Sequence, residues 1–225
     1  MLKSLAKQLF VPALLLVGSL LFSFDSFGSA STTTREWELA RDEPLQTSLS
    51  PQESASPITL EAIDGAWRVF PRANYRVAAR VLQNTWYDDW QASFAPLDLA
   101  LGWGEMSEPR VDRWIEWRQS ERWYYYRLQQ PPILRNLLSP LSADYVREHS
   151  ANVHVIPASE RVENALRTLQ RNSLILLEGK LVDVEVEKDG AIQRFTTSLS
   201  RLDGGDGSCE IMYVERVVMQ NDGYR

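Results

Sequence analysis

A chain of 225 residues with 44% hydrophobic and 24% charged positions can bury a sizeable core, which excludes wholesale disorder. Its 24 Lys and Arg against 30 Asp and Glu leave a net charge of −6, which argues against the broad basic footprint of a non-specific DNA or RNA binder, so nucleic acid is not an expected partner. One cysteine, Cys209, excludes an intramolecular disulfide, and the fold must rest on its core.

In chain order, Lys3 and Lys7 form a short positive start, and residues 8–24 follow as an uncharged apolar run interrupted by Pro12 and Gly18. This is the pattern of a secretory signal, with Gly28-Ser29-Ala30 supplying small residues for cleavage after Ala30. The alternative is an uncleaved anchor, attached to the membrane through residues 9–24 and oriented the same way by the two lysines. Both place the body of the chain in the periplasm or cell envelope. Residues 31–57, rich in Ser, Thr, Pro and Gln without apolar period, predict a flexible linker in which Trp37 is the oddity. Residues 58–225 predict a single α+β domain.

Within it, Trp67 and Val69 before Pro71 predict a short strand and a bend, and Tyr75, Val77, Ala79 and Val81 alternate with Arg76 and Arg80 as a half-buried strand. The apolar run 94–104, with two glycines, predicts a buried loop or a single helical turn. Ser107 is placed to cap a short helix with Pro109 in its first turn and Val111, Trp114 and Ile115 as its stripe. Residues 122–128 are strand-like, and Pro131-Pro132 stops them. Ser159 caps a helix whose Val162, Ala165, Leu166 and Leu169 form one apolar stripe. Residues 174–187 predict a long strand bulged at Gly179, Lys188-Asp189-Gly190 a hairpin turn, 193–202 the returning strand, 203–207 a loop and 209–219 a closing strand. The fold class is therefore α+β and antiparallel, an OB- or SH3-like barrel with one packed helix in its C-terminal half.

The stretches LALGWGEMS (99–107), RWYYYR (122–127), HSANVHVIPAS (149–159), LEGKLVDV (177–184) and SRLDGGDGSCEIMYVE (200–215) resemble a group of uncharacterised exported bacterial proteins, over about residues 66–218. The resemblance implies export and one compact domain, and brings no established activity.

Three constellations can carry chemistry. The two histidines, His149 and His154, with Asn152 between them, join Cys209 and Glu210 as candidate catalytic residues, because an imidazole draws a thiol toward thiolate and a carboxamide can orient a ring. His149, His154 and Cys209 would also make a three-ligand metal set with one open place. The plainer reading makes Cys209 a small buried hydrophobe opening a strand beside Ile211 and Tyr213, with the histidines in a loop before Pro157. Trp114, Trp117, Trp123, Tyr125 and Arg118 are candidates for a stacking surface, against the reading that these aromatics are core. The acid-bearing glycines 203–207 suggest a calcium loop but lack its full spacing, and a polar turn is the simpler reading. No cofactor motif and no metal site is selected. The function expected is a binding or accessory module with an envelope protein as partner; the alternative is a thiol- or metal-dependent enzyme using Cys209 with His149 or His154.

Overall fold

The computed structural model describes residues 37, 40–49, 57–62, 65–129, 142–200, 202–203 and 208–220. The signal or anchor at 1–30 and residues 204–207 lie outside them. Ten strands are described: β1 (Leu45–Ser48), β2 (Ile58–Ala62), β3 (Gly65–Trp86), β4 (Leu97–Gly102), β5 (Ile115–Ser120), β6 (Trp123–Leu128), β7 (Ser150–Pro157), β8 (Leu174–Lys188), β9 (Ala191–Phe195) and β10 (Glu210–Met219). The helices are α1 (Pro109–Asp112), α2 (Ala143–Glu148) and α3 (Glu160–Arg167).

Five strands pair into a closed cycle. β3 pairs with β4, β4 with β7, β7 with β10, β10 with β8, and β8 returns to β3. Counted along the chain, the barrel strands run first, second, third, fifth, fourth and back to the first, the Greek-key barrel of the OB kind. The expected all-antiparallel sheet is corrected at one seam, since β7 and β10 are parallel. Alternation turns Val77, Val81, Leu99, Val153, Leu177 and Met212 into the barrel, and each fully buried side chain of this size contributes about 1.5–3 kcal/mol. α3 follows from its sequence as read: Ser159 Oγ accepts from Val162 N at 3.3 Å, and Val162 and Leu166 join the barrel core.

Four expectations are corrected. The run around Leu97 is a strand with all six residues buried, not a loop or turn, and burial on both faces removes the alternation that would have marked it. Gly179 lies in an unbroken β8, and the register shift falls opposite it in β10, between Val214 and Arg216. Gly179 is required there because a Cβ would stand 2.0 Å from the Tyr213 carbonyl oxygen. The segment taken as linker contributes β1, which pairs with Ala73–Arg76 of β3, and a buried Ala40 against Ala78 and Leu176. Backbone pairing needs no apolar period, and β1 is exposed along its whole length. The helix after Ser107 is one short turn, α1, so Trp114 lies beyond it and Ile115 opens β5. The Asp189-Gly190 turn is as expected, with positive φ at both residues (54° and 75°), although β9 ends earlier, at Phe195. Among the described residues no helix is long and apolar enough to cross a membrane.

Gly179→Ala is expected to destabilise the domain by on the order of 3 kcal/mol, a fall of roughly 10 °C in the thermal midpoint, because the added methyl meets backbone that cannot move aside. Calorimetry of the purified chain measures it, and an unchanged midpoint would show that the strands separate freely there.

Candidate functional site

Asp98 of β4 and His154 of β7 stand directly opposite each other in the antiparallel register, both on the outer face of the barrel. His154 Nδ1 and Asp98 Oδ1 are 2.7 Å apart, with Asp98 completely buried and His154 19% exposed. The parallel register of β7 and β10 sets Ile211 beside His154, which brings Cys209, two residues earlier, onto the same face next to Asn152. Asn152 Nδ2 is 3.7 Å from Cys209 Sγ. With Nδ1 committed to Asp98, the imidazole is also close enough to Cys209 for the thiol group to act on its protonation. Asp98, His154 and Cys209 thus form one chain across three adjacent strands.

The electrostatics follow from that order. Burial, the largest single influence on His154, favours the neutral ring, but the hydrogen bonds and charges of Asp98 and Cys209 together outweigh it and push the imidazole up to about 9. The ring is therefore an imidazolium at neutral pH, seated between a carboxylate and a thiol.

A second layer closes over this strip. The β5–β6 hairpin lies on the outer face, where Trp117 stacks on Tyr124 (centroids 6.0 Å apart) above Leu82, Ala100 and Met106. Its two-residue tip, Glu121 and Arg122, has positive φ at both positions (55° and 68°), the primed turn of a tight hairpin built without glycine. Arg122 holds the strained tip down. Its guanidinium donates to Asp89, to the Ala95 carbonyl at 2.6 Å and to Asp98 Oδ1 at 3.4 Å, and lies 3.9 Å from the centre of the Tyr87 ring. Burial first, and then the Asp98 charge, push the Tyr87 hydroxyl up to about 12. The tip also fixes Asn152, whose Nδ2 donates to Arg122 O at 2.9 Å while its Oδ1 accepts from Gln119 Nε2 at 2.8 Å.

Of the residues singled out in the sequence, Cys209, His154 and Asn152 come together. Cys209 is partly exposed at the head of β10 rather than sealed beneath it. His149 is corrected out of the group. It ends α2 at the far end of β7, with Nδ1 3.0 Å from Tyr145 O and its ring stacked on Tyr145 at 3.8 Å. The three-ligand set of His149, His154 and Cys209 is therefore not assembled, and among the described residues no group of three or more His, Cys, Asp or Glu is placed to hold a metal ion. Glu210 enters the sheet opposite Val153, is 1% exposed, and adds a negative field at the Tyr124 hydroxyl. The aromatic series divides. Trp117 is core, Trp114 and Trp123 are half-buried, and Tyr125 and Arg118 face solvent as a cross-strand pair. Asp203 accepts from Ser198 Oγ at 2.6 Å, as a polar turn would.

Two residues of the site were not selected from sequence: Asp98 and Gln119. Asp98 had a signal, a single acid inside an apolar run, since a charge in a buried strand requires a partner.

No family model matches the chain, and no curated protein matches it. Among solved structures it is similar to a small single-stranded DNA-binding protein from Streptomyces coelicolor, at 7% identity, covering 73% of this chain and 95% of that one, with a TM-score of 0.26. That protein is named for binding single-stranded DNA, the class of partner that the net charge was read as excluding. A likeness of this size assigns no partner to the present chain, and its fold is read from its own strand pairing.

The raised His154 sets a pH dependence. Its folded value lies above the ordinary 6.5, so its stabilisation is complete below pH 6.5 and is lost as the pH rises through about 9, an effect on the order of 3 kcal/mol. The thermal midpoint should fall over that interval in the wild type, and the slope should be flattened in His154→Gln. A wild-type midpoint independent of pH between those values would remove the buried imidazolium.

Proposed function

We propose that this chain is an exported thiol-dependent enzyme in which Cys209 is the nucleophile, His154 its proton partner and Asp98 the residue that orients and charges the imidazole. The observation that carries the reading is the His154 ring held at Nδ1 by the fully buried Asp98 at 2.7 Å, on the same face as Cys209, whose sulfur lies 3.7 Å from Asn152 Nδ2. A nucleophile, a base within hydrogen-bond reach and a third group fixing the base form the constellation that covalent catalysis uses. Export is supported by Lys3, Lys7, the apolar run at residues 8–24 and the small residues before Ser31.

A binding or accessory role is favoured by one observation, the exposed Tyr125 and Arg118 on the outer side of the hairpin. It leaves the order of Asp98, His154 and Cys209 unexplained, which is why the catalytic reading is preferred.

Alkylation tests the thiol directly, because the chain has one cysteine. Iodoacetamide at pH 6–7 is expected to modify Cys209 in the native chain at least about tenfold faster than in the urea-unfolded chain, since folding supplies the cationic partner. His154→Gln and Asp98→Asn should each remove that advantage. A native rate no faster than the unfolded one would contradict the proposed nucleophile.

A further inference from the structure

The Asn152 side chain is held in a way that anchoring a hairpin does not require. It is 1% exposed, and its oxygen is committed to Gln119 Nε2, whose own Oε1 accepts from Thr85 Oγ1 at 2.9 Å. This fixes which end of the carboxamide faces the sulfur. Of the two hydrogens on Nδ2, one is taken by Arg122 O at 2.9 Å, and the other points toward Cys209 Sγ at 3.7 Å. A thiol accepts such a hydrogen bond weakly. An oxygen carried on a carbon newly bonded to that sulfur is the kind of acceptor on which such a fixed donor stabilises developing negative charge.

Resting on the thiol reading above, we propose that Asn152 Nδ2 is the oxyanion donor of the Cys209 site, and that its substrates are acyl compounds attacked at the carbonyl carbon. Cys209 Sγ forms a bond to that carbon, and the carbonyl π pair moves onto oxygen, where the Asn152 N–H receives it. The pair then returns to re-form the carbonyl and break the bond to the leaving alcohol, thiol or amine, which takes the proton from His154 Nε2. Water, giving a proton to the now neutral His154, adds to the thioester carbon. Collapse of that adduct releases the acid and the Cys209 thiolate. Gln119 and the Arg122 carbonyl are positioning groups, acting only through the orientation of the carboxamide.

The test compares two reagents on the full chain. Iodoacetamide reads thiolate alone, because iodide is displaced from a saturated carbon and no oxyanion forms; p-nitrophenyl acetate reads the same thiolate plus the oxyanion. Asn152→Leu and Asn152→Ala are expected to slow acetylation of Cys209 by about 100-fold and alkylation by far less. Gln119→Leu, which frees the carboxamide to turn without removing it, should give a smaller loss in the same ratio and serves if the Asn152 variants do not fold. Equal losses with both reagents, or no loss of acetylation, would overturn the assignment and leave Asn152 a structural residue. Wild-type Cys209 that alkylates rapidly yet is not acetylated would overturn the acyl class while sparing the thiol reading. Slow alkylation of the wild type would instead fail the thiol reading itself, before any variant is made.

Discussion

A carboxylate with no exposed surface lies at the centre of this molecule, and much of the surrounding structure answers to it. Asp98 is the second residue of a strand whose six residues are all buried, where an uncompensated charge would cost several kcal/mol. Compensation comes from two directions. His154 approaches along the sheet from the adjacent strand, and Arg122 descends from the hairpin above. Removing either cation leaves the other to hold the carboxylate alone. The imidazole is thereby oriented and charged, and the hairpin tip is fixed, by a single demand for charge balance.

The barrel topology makes that arrangement available. Because the third and fifth barrel strands are parallel neighbours, the head of β10 enters the sheet beside the middle of β7, one residue short of the His154 level, with Cys209 just before it. A cysteine at the entry point is therefore near the ring and yet only partly covered. The β5–β6 hairpin, inserted between the second and third barrel strands, supplies the roof. Positive φ at Glu121 and Arg122 is a strain that persists because the Arg122 guanidinium is over-determined by Asp89, Ala95 O, Asp98 and the Tyr87 ring. Arg122 also presents the carbonyl that orients Asn152. Strain, charge balance and carboxamide orientation are coupled through one arginine.

Much of the C-terminal half was legible in the residues. Val182, Val184 and Val186 alternate as their strand requires, Ser159 caps its helix, and Asp189-Gly190 turns the hairpin, because in each case a local rule decides. The strand around Leu97 was hidden by its own burial, and β1 by having no buried side of its own. Gly179 was correctly sensed as a disturbance but assigned to the wrong strand, since a glycine that admits a neighbour's bulge reads the same as one that makes it. The site was half legible. Cys209, His154 and Asn152 are chemically conspicuous residue types in a chain with one cysteine and two histidines. That His154 rather than His149 belongs with Cys209, and that Asp98 completes the set, depends on strand register, which no local pattern specifies.

The central claim is that Asp98 and Cys209 hold His154 as an oriented imidazolium. Nitrogen-15 NMR of the labelled imidazole, followed against pH in the intact chain, measures that state at the ring itself. Both ring nitrogens of His154 should remain protonated through neutrality, with the titration near 9 in the wild type and displaced toward the ordinary 6.5 in Asp98→Asn. A neutral ring at pH 7 in the wild type, or a titration that Asp98→Asn leaves in place, would contradict the account.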